Sequence, residues 1–170
     1  MTTQGWGHVV GRARPLGSST YRERLLIMST VLEGLESSFA ERVRRRLSEG
    51  TVVWFTTVGR DGTPQPNPVW FVWDGSAITV YSVNGGKKLR HIAVNDSVSL
   101  NFNSTPGGGD VVVISGHARI VRDAPPPSRF PGLLDKYMPA VEAMGRPASW
   151  FDENYRTAIH ITAERAWTIP

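Results

Sequence analysis

The chain has 170 residues, a formal charge of +4 and no cysteine. That length predicts one domain with a sizeable core, and 40% apolar with 20% charged residues excludes a wholly disordered chain. Disulfides, thiolate catalysis and Cys-ligated metal are excluded, and no apolar run reaches the ~20 residues of a membrane span.

The charge is unevenly placed. Residues 1–46 hold eight Arg and four acids, whereas residues 47–170 hold eleven basic and eleven acidic residues. The main body is balanced, which argues against a nucleic-acid-binding face. Arg outnumbers Lys 16 to 3, a weak mark of a GC-rich genome. It also makes the adjacent pair Lys87-Lys88 conspicuous.

Residues 1–27 show no period and no apolar stretch of signal-peptide length. They are expected to form a loosely structured extension to a folded domain over 28–170, with Met28 a second candidate start. Residues 31–49 read as an amphipathic helix. Leu32, Leu35, Phe39, Val43 and Leu47 recur at helical spacing, and Gly50 stands at the C-cap. Arg42, Arg44, Arg45 and Arg46 read as a solvated helix end favoured by the macrodipole.

From residue 51 the period changes. TVVWFTTV (51–58), PVWFVWDG (68–75) and SAITVYSV (76–83) read as strands and turns, with GRDG (59–62) a hairpin turn. Three such strands in succession predict an antiparallel meander. NGGKKLRHIAVND (84–96) reads as a Gly turn and short helix, SVSLNFN (97–103) as a strand and STPGGGD (104–110) as a loop. Residues 110–123 form a long strand, bent at Gly116. APPP (124–127) breaks structure, residues 128–145 have helical patches interrupted by Pro131 and Pro139, and Ser149 precedes another helix. Residues 157–170 supply one or two closing strands. Six or seven antiparallel strands with a few flanking helices make a small α+β barrel.

Standard sites are absent. There is no GxxxxGK[ST], no GxGxxG, no HExxH and no GxSxG. His8, His91, His117 and His160 are scattered and read as surface or core residues, with no metal site. Two segments remain. In YSVNGGKKLRHI (81–92), Gly85 and Gly86 allow a tight turn that exposes N–H groups, and Lys87, Lys88 and Arg90 add three charges within four residues. Phosphate suits such a cluster; a helix start charged for solubility is the other reading. Ser82 either donates to that phosphate or caps the turn. In GRDGTPQPNPVWF (59–71), Pro64, Pro66 and Pro68 alternate with Gln65 and Asn67, which suits an edge strand. Its amides are then open to a flat polar ring. Most of Trp54, Phe55, Trp70, Phe71 and Trp73 are expected in the core.

The order G-R-D-G-x-P-Q-x-x-P-V-W-F, then Y-S-x-x-x-x-K-K-x-R-x-I, then SVSLNFN resembles the pyridoxamine-phosphate-oxidase-like split β-barrel superfamily, of the FMN-binding split-barrel type. Within it the chain is similar to the flavin/deazaflavin oxidoreductase B group, which uses coenzyme F420. The likeness covers roughly residues 32–169. It implies a homodimer with cofactor sites at the interface. It assigns the cofactor phosphate to Lys87, Lys88 and Arg90, with Ser82 and Asn84 nearby. The ring and ribityl region would lie along Gln65, Asn67, Pro68, Val69 and Trp70, and Trp150 and Tyr155 would contribute from the later helical part. Arg44–Arg46, Arg60, Arg119 and Arg122 are candidates for the acidic F420 tail.

The implied activity is an F420-dependent reductase that passes a hydride from the deazaflavin C5 to a small conjugated organic substrate. It would be cytoplasmic, and an actinobacterial source fits the Arg bias. An FMN-binding oxidase or reductase of the same barrel, and a non-catalytic F420 or flavin carrier, are the alternatives. Tyr81, a pocket water or the substrate itself remain open as proton donor.

Overall fold

A computed structural model describes residues 31–169. The extension over 1–27, and the candidate start at Met28, lie outside the described residues. Among the described residues, seven strands form one antiparallel sheet: β1 (Val52–Val58), β2 (Pro64–Trp70), β3 (Val72–Trp73), β4 (Ile78–Ser82), β5 (Ser97–Asn101), β6 (Val113–Val121) and β7 (Thr157–Trp167). Helices α1 (Ser37–Glu49), α2 (Lys87–Ile92), α3 (Leu133–Ala143) and α4 (Ser149–Asn154) flank it, with a 3₁₀ turn at Pro127–Arg129. This is the expected α+β class.

The sheet order is β2-β1-β5-β6-β7-β4-β3. The expected meander is therefore corrected. β1 and β2 form a hairpin at one edge, and β3 and β4 form another at the opposite edge. Yet only Phe71 separates β2 from β3 in sequence. In a flat sheet the outer strands of seven would stand about 29 Å apart. Two residues flanking a third lie within about 7 Å. The sheet must therefore curl until its edges meet, which makes a barrel split at Phe71.

Tyr137 of α3 fills that split. Its hydroxyl accepts from the Phe71 N–H at 2.8 Å. It has the Phe71 carbonyl at 2.7 Å and the Thr51 carbonyl at 2.8 Å as acceptors for its single proton. Phe71 and Tyr137 are each 1% exposed. Burial pushes the Tyr137 hydroxyl up to about 12, so it stays protonated. Trp70 stacks on the Tyr137 ring at 4.6 Å and 8°. On the other side, the Lys136 ammonium lies 4.2 Å from the Phe71 ring centroid.

The core sits inside the curl, against α1. Leu47, Phe55, Ile78, Ile159 and Ile161 are each fully buried there. The predicted helix over 31–49 is interrupted. Residues 31–33 are helical, and α1 then starts afresh at Ser37. Glu36 caps it, accepting from the Ser38 and Phe39 amides at 3.1 Å each. The Ser38 hydroxyl, followed by those amides, holds the Glu36 carboxyl down to about 2. Gly116 does bend β6: the register shifts between Ser115 and Gly116, and a Cβ on Gly116 would lie 2.0 Å from the Thr162 carbonyl oxygen. The 128–145 helical patches resolve into the 3₁₀ turn and α3, with Pro139 inside α3. At α4 the cap position is Ala148, not Ser149.

Two outcomes follow for the junction. Tyr137→Phe leaves the buried Phe71 N–H without a partner, and should cost about 2–3 kcal/mol in urea unfolding with an unchanged m value. Burial also lowers Lys136 from an ordinary 10.5 to about 8. Between those values the unfolded chain holds a proton that the folded chain has released, so stability rises with pH. Tyr81 and Tyr137, each raised to about 12, act oppositely above pH 10. The Lys136→Met protein should show a smaller rise between pH 8 and 10, read as urea midpoint against pH; Lys88, also lowered by burial, keeps part of it.

Candidate functional site

β2 is an edge strand, as its prolines require. Pro66 and Pro68 lie opposite Thr56 and Trp54, while Gln65, Asn67 and Val69 lie opposite the buried Thr57, Phe55 and Val53. Directly opposed residues share a face. The alternation thus places prolines on the outer face and the amide-bearing residues on the inner one. Gln65 and Val69 are half-buried, and Asn67 is exposed where the barrel opens. The Asn67 side-chain amide donates to the Gln65 carbonyl at 3.3 Å. Pro68 and Trp70 do not join this face, and the Trp70 ring is engaged by Tyr137 and, at 5.5 Å, by Phe151.

The basic turn follows β4. Ser82 ends that strand and is buried. Gly85 takes a φ of +68°, which favours glycine. A Cβ on Gly86 would come 3.0 Å from the Ser82 oxygen and 3.2 Å from the Val83 carbonyl, so the backbone there stays bare. The Arg90 guanidinium donates to the Gly85 carbonyl at 2.8 Å. Asn84 accepts from the Thr157 hydroxyl at 2.7 Å. These two bonds hold the turn, so Arg90 and Asn84 act as its staples. Lys87 projects into solvent. Lys88 is half-buried, and burial lowers its ammonium pKa. Among the described residues no acid or acceptor holds Lys88.

The two segments meet through β1. The Thr57 oxygen lies 2.9 Å from Nδ1 of His91 on α2, and Thr57 is the register partner of Gln65. Sequence alone makes His91 a surface or core residue, yet it ties the basic helix to the amide-bearing edge. Its i, i+3 spacing from Lys88 along α2 was the available signal.

The aromatic side comes from α4. Tyr155 packs edge-on to Trp150 at 5.4 Å, beside Phe151. Thr157, the partner of Asn84, lies two residues beyond Tyr155. Tyr81 gives its proton to the Pro125 carbonyl at 2.5 Å. Burial, then the Asp152 charge, pushes its hydroxyl up to about 12. That bond sets Tyr81 apart from the proton donors left open by sequence.

The arginine run is corrected. It is not merely solvated, because Arg42 and Arg45 approach the Asp110 carboxylate at 3.5 and 3.9 Å, and Arg46 bonds it more closely. The charge cluster pins the 104–110 loop to α1. Arg119 contacts His160 at 3.4 Å on the sheet, while Arg44, Arg60 and Arg122 are exposed. Of the five strand aromatics expected mostly in the core, only Phe55 and Phe71 are buried; Trp70 and Trp73 are half-buried, and Trp54 is 41% exposed and donates to Asn103.

Fold and site thus define an antiparallel split β-barrel with an open amide-bearing edge and a Gly-Gly-Lys-Lys turn at one end. The pyridoxamine 5'-phosphate oxidase family model matches residues 39–169, and the chain belongs to that family. No curated protein matches it. Among solved structures, an F420 reductase is 24% identical with a TM-score of 0.53, over 72% of this chain and 94% of that one. A conserved hypothetical protein from Mycobacterium tuberculosis is 22% identical at 0.56, over 78% and 82%. The heme storage protein HutZ from Vibrio cholerae is 16% identical at 0.52, over 79% and 94%. At these identities the likeness is one of fold. Among the described residues no helix is long and apolar enough to cross a membrane.

A desolvated ammonium without a counter-ion destabilises the protein that carries it. Lys88→Met should therefore raise the urea midpoint of the ligand-free protein. A fall in that midpoint would make Lys88 a structural residue.

Proposed function

We propose that the chain is a cytoplasmic F420-dependent reductase acting on small conjugated organic substrates. The observation that carries this reading is Lys88: half-buried, held by no acid or acceptor among the described residues, and set at a bare glycine turn. Such a position suits the phosphate of a bound cofactor. The turn's geometry fits one, since its glycines leave the backbone bare and Gly85 faces open space where a Cβ would stand. Lys87 and Lys88 would bind the phosphate, with the Ser82 hydroxyl behind them and Arg90 and Asn84 fixing the turn. Gln65, Asn67 and Val69 would orient the ring along the inner face of β2, with Pro68 and Trp70 supporting the edge from its other side.

The chemistry such a cofactor supplies when bound is hydride transfer to an electrophilic carbon. The protein's share is orientation and exclusion of water. On one chain the β2 edge is open, with Asn67 and Pro68 exposed. A second copy would cover it, which makes a homodimer the working unit. Trp150 and Tyr155 supply an apolar wall on the turn's side. The exposed Arg44, Arg60 and Arg122 are the cations left for an acidic tail.

FMN is the second reading, because the same turn serves the phosphate of either cofactor. Parallel fluorescence titrations with F420 and FMN separate them. Tighter F420 binding, with Lys87→Ala/Lys88→Ala weakening it well over tenfold, is expected, since a charge-assisted bond contributes about 1.5–3 kcal/mol. Tighter FMN binding moves the protein to the flavin branch. F420 binding without turnover of any enone makes it a carrier. Binding of neither cofactor removes the reading.

A further inference from the structure

The chain has three lysines, and the turn above accounts for Lys87 and Lys88. The third, Lys136, lies on α3 beside the barrel junction. Its Nζ stands 4.2 Å from the Phe71 ring centroid and 5.7 Å from that of Tyr137. Among the described residues no acid or acceptor pairs with it, so an aromatic face is its only anchor. It opens on a cleft of about 360 Å³ between α1, β3 and the start of α3. Leu47, Val72, Trp73 and Pro131 are the apolar walls, and Ser48 and Asp135 are the other polar side chains there.

The surroundings select the occupant. An anion would meet the Asp135 carboxylate in the same cleft. A neutral molecule with an apolar body would not, and the cleft is large enough for one. What distinguishes this cleft is a primary amine on its wall. We propose that Lys136 is a covalent capture site for small neutral aldehydes, with the apolar body against Trp73 and Pro131 and the carbonyl carbon at Nζ.

The step balances without a co-reactant. The nitrogen lone pair forms a bond to the carbonyl carbon, and the carbonyl π pair moves to oxygen. A proton passes from nitrogen to that oxygen; Ser48 and Asp135 line the cleft and can carry it. Loss of water as the C=N bond forms completes the imine. One amine and one aldehyde give one imine and one water, with no change of oxidation state. Burial helps, because it lowers the amine's pKa to about 8 and raises its neutral fraction near pH 7. Lys88 is also half-buried, but it stands between Lys87 and Arg90, in surroundings suited to an anion. This proposal does not depend on which cofactor the protein binds.

The test uses the full chain with benzaldehyde as probe, cyanoborohydride to fix any imine, and peptide mapping of all three lysines. Lys136 should carry about tenfold more label than Lys87 or Lys88, because the cleft holds the ring of benzaldehyde beside this lysine and not beside the other two. The urea-unfolded chain should label all three alike. Benzyl alcohol, which keeps the body but lacks the carbonyl, should protect Lys136 in the folded chain. Lys136→Arg should remove the label while keeping the charge over Phe71. Equal labelling of the three lysines in the folded chain overturns the proposal. So does labelling of Lys136 that benzyl alcohol leaves unchanged, because the cleft then plays no part. The wild-type map decides the matter even if the variant fails to fold.

Discussion

Seven strands can close into this barrel because one hydroxyl replaces a missing stretch of β-ladder. Phe71 has no strand partner, being the residue at which the chain leaves one sheet edge for the other. A buried backbone amide without a partner is costly. Tyr137 supplies partners for both polar groups of Phe71 and reaches the Thr51 carbonyl as well. The same side chain draws α3 onto the barrel, and with it the cluster of Val72, Leu133, Val141 and Phe151. The second core, the stacked Trp70 and the position of α4 all hang on that contact.

Much of this was legible in the sequence, where local chemistry is decisive. β-Branched and aromatic runs gave the strands, alternating prolines gave the edge, and Gly116 gave the bend. The order of the strands was not legible. A hairpin and its neighbour look the same whether they lie side by side or at opposite edges, because the turn signals are local. Tyr137 carried no distinguishing pattern, since its role is defined by a residue 66 positions away. The break before α1 is invisible in the pattern because Leu32 and Leu35 keep helical spacing across it. Both are buried, yet Glu36 turns the chain between those residues and α1.

The candidate site divides in the same way. Its residue types could be read from the chain, but their division of labour could not. Lys87, Lys88 and Arg90 look equivalent as a charge cluster. Folding gives Arg90 to the Gly85 carbonyl, Lys87 to solvent and Lys88 to a half-buried position. Desolvation alone separates the two lysines, and it depends on how α2 packs against β1. The arginines of α1 show the reverse case. A run that reads as solvated finds one carboxylate, Asp110, 64 positions beyond Arg46. Asp110 itself holds a φ of +55°, a conformation that a side chain other than Gly, Asn or Asp adopts at a cost.

The one-residue link at Phe71 also sets how this chain can change length in evolution. Side chains alternate along a strand, so one added residue turns every later side chain to the other face. An insertion at Phe71 would force either β2 to present its prolines inward or β3 to expose Val72. It would also carry the Phe71 amide away from the Tyr137 hydroxyl. The 104–110 loop is under no such parity rule, since it is exposed and its glycines face open space at Gly107 and Gly108. Length variation among relatives should therefore collect in that loop and vanish at the junction.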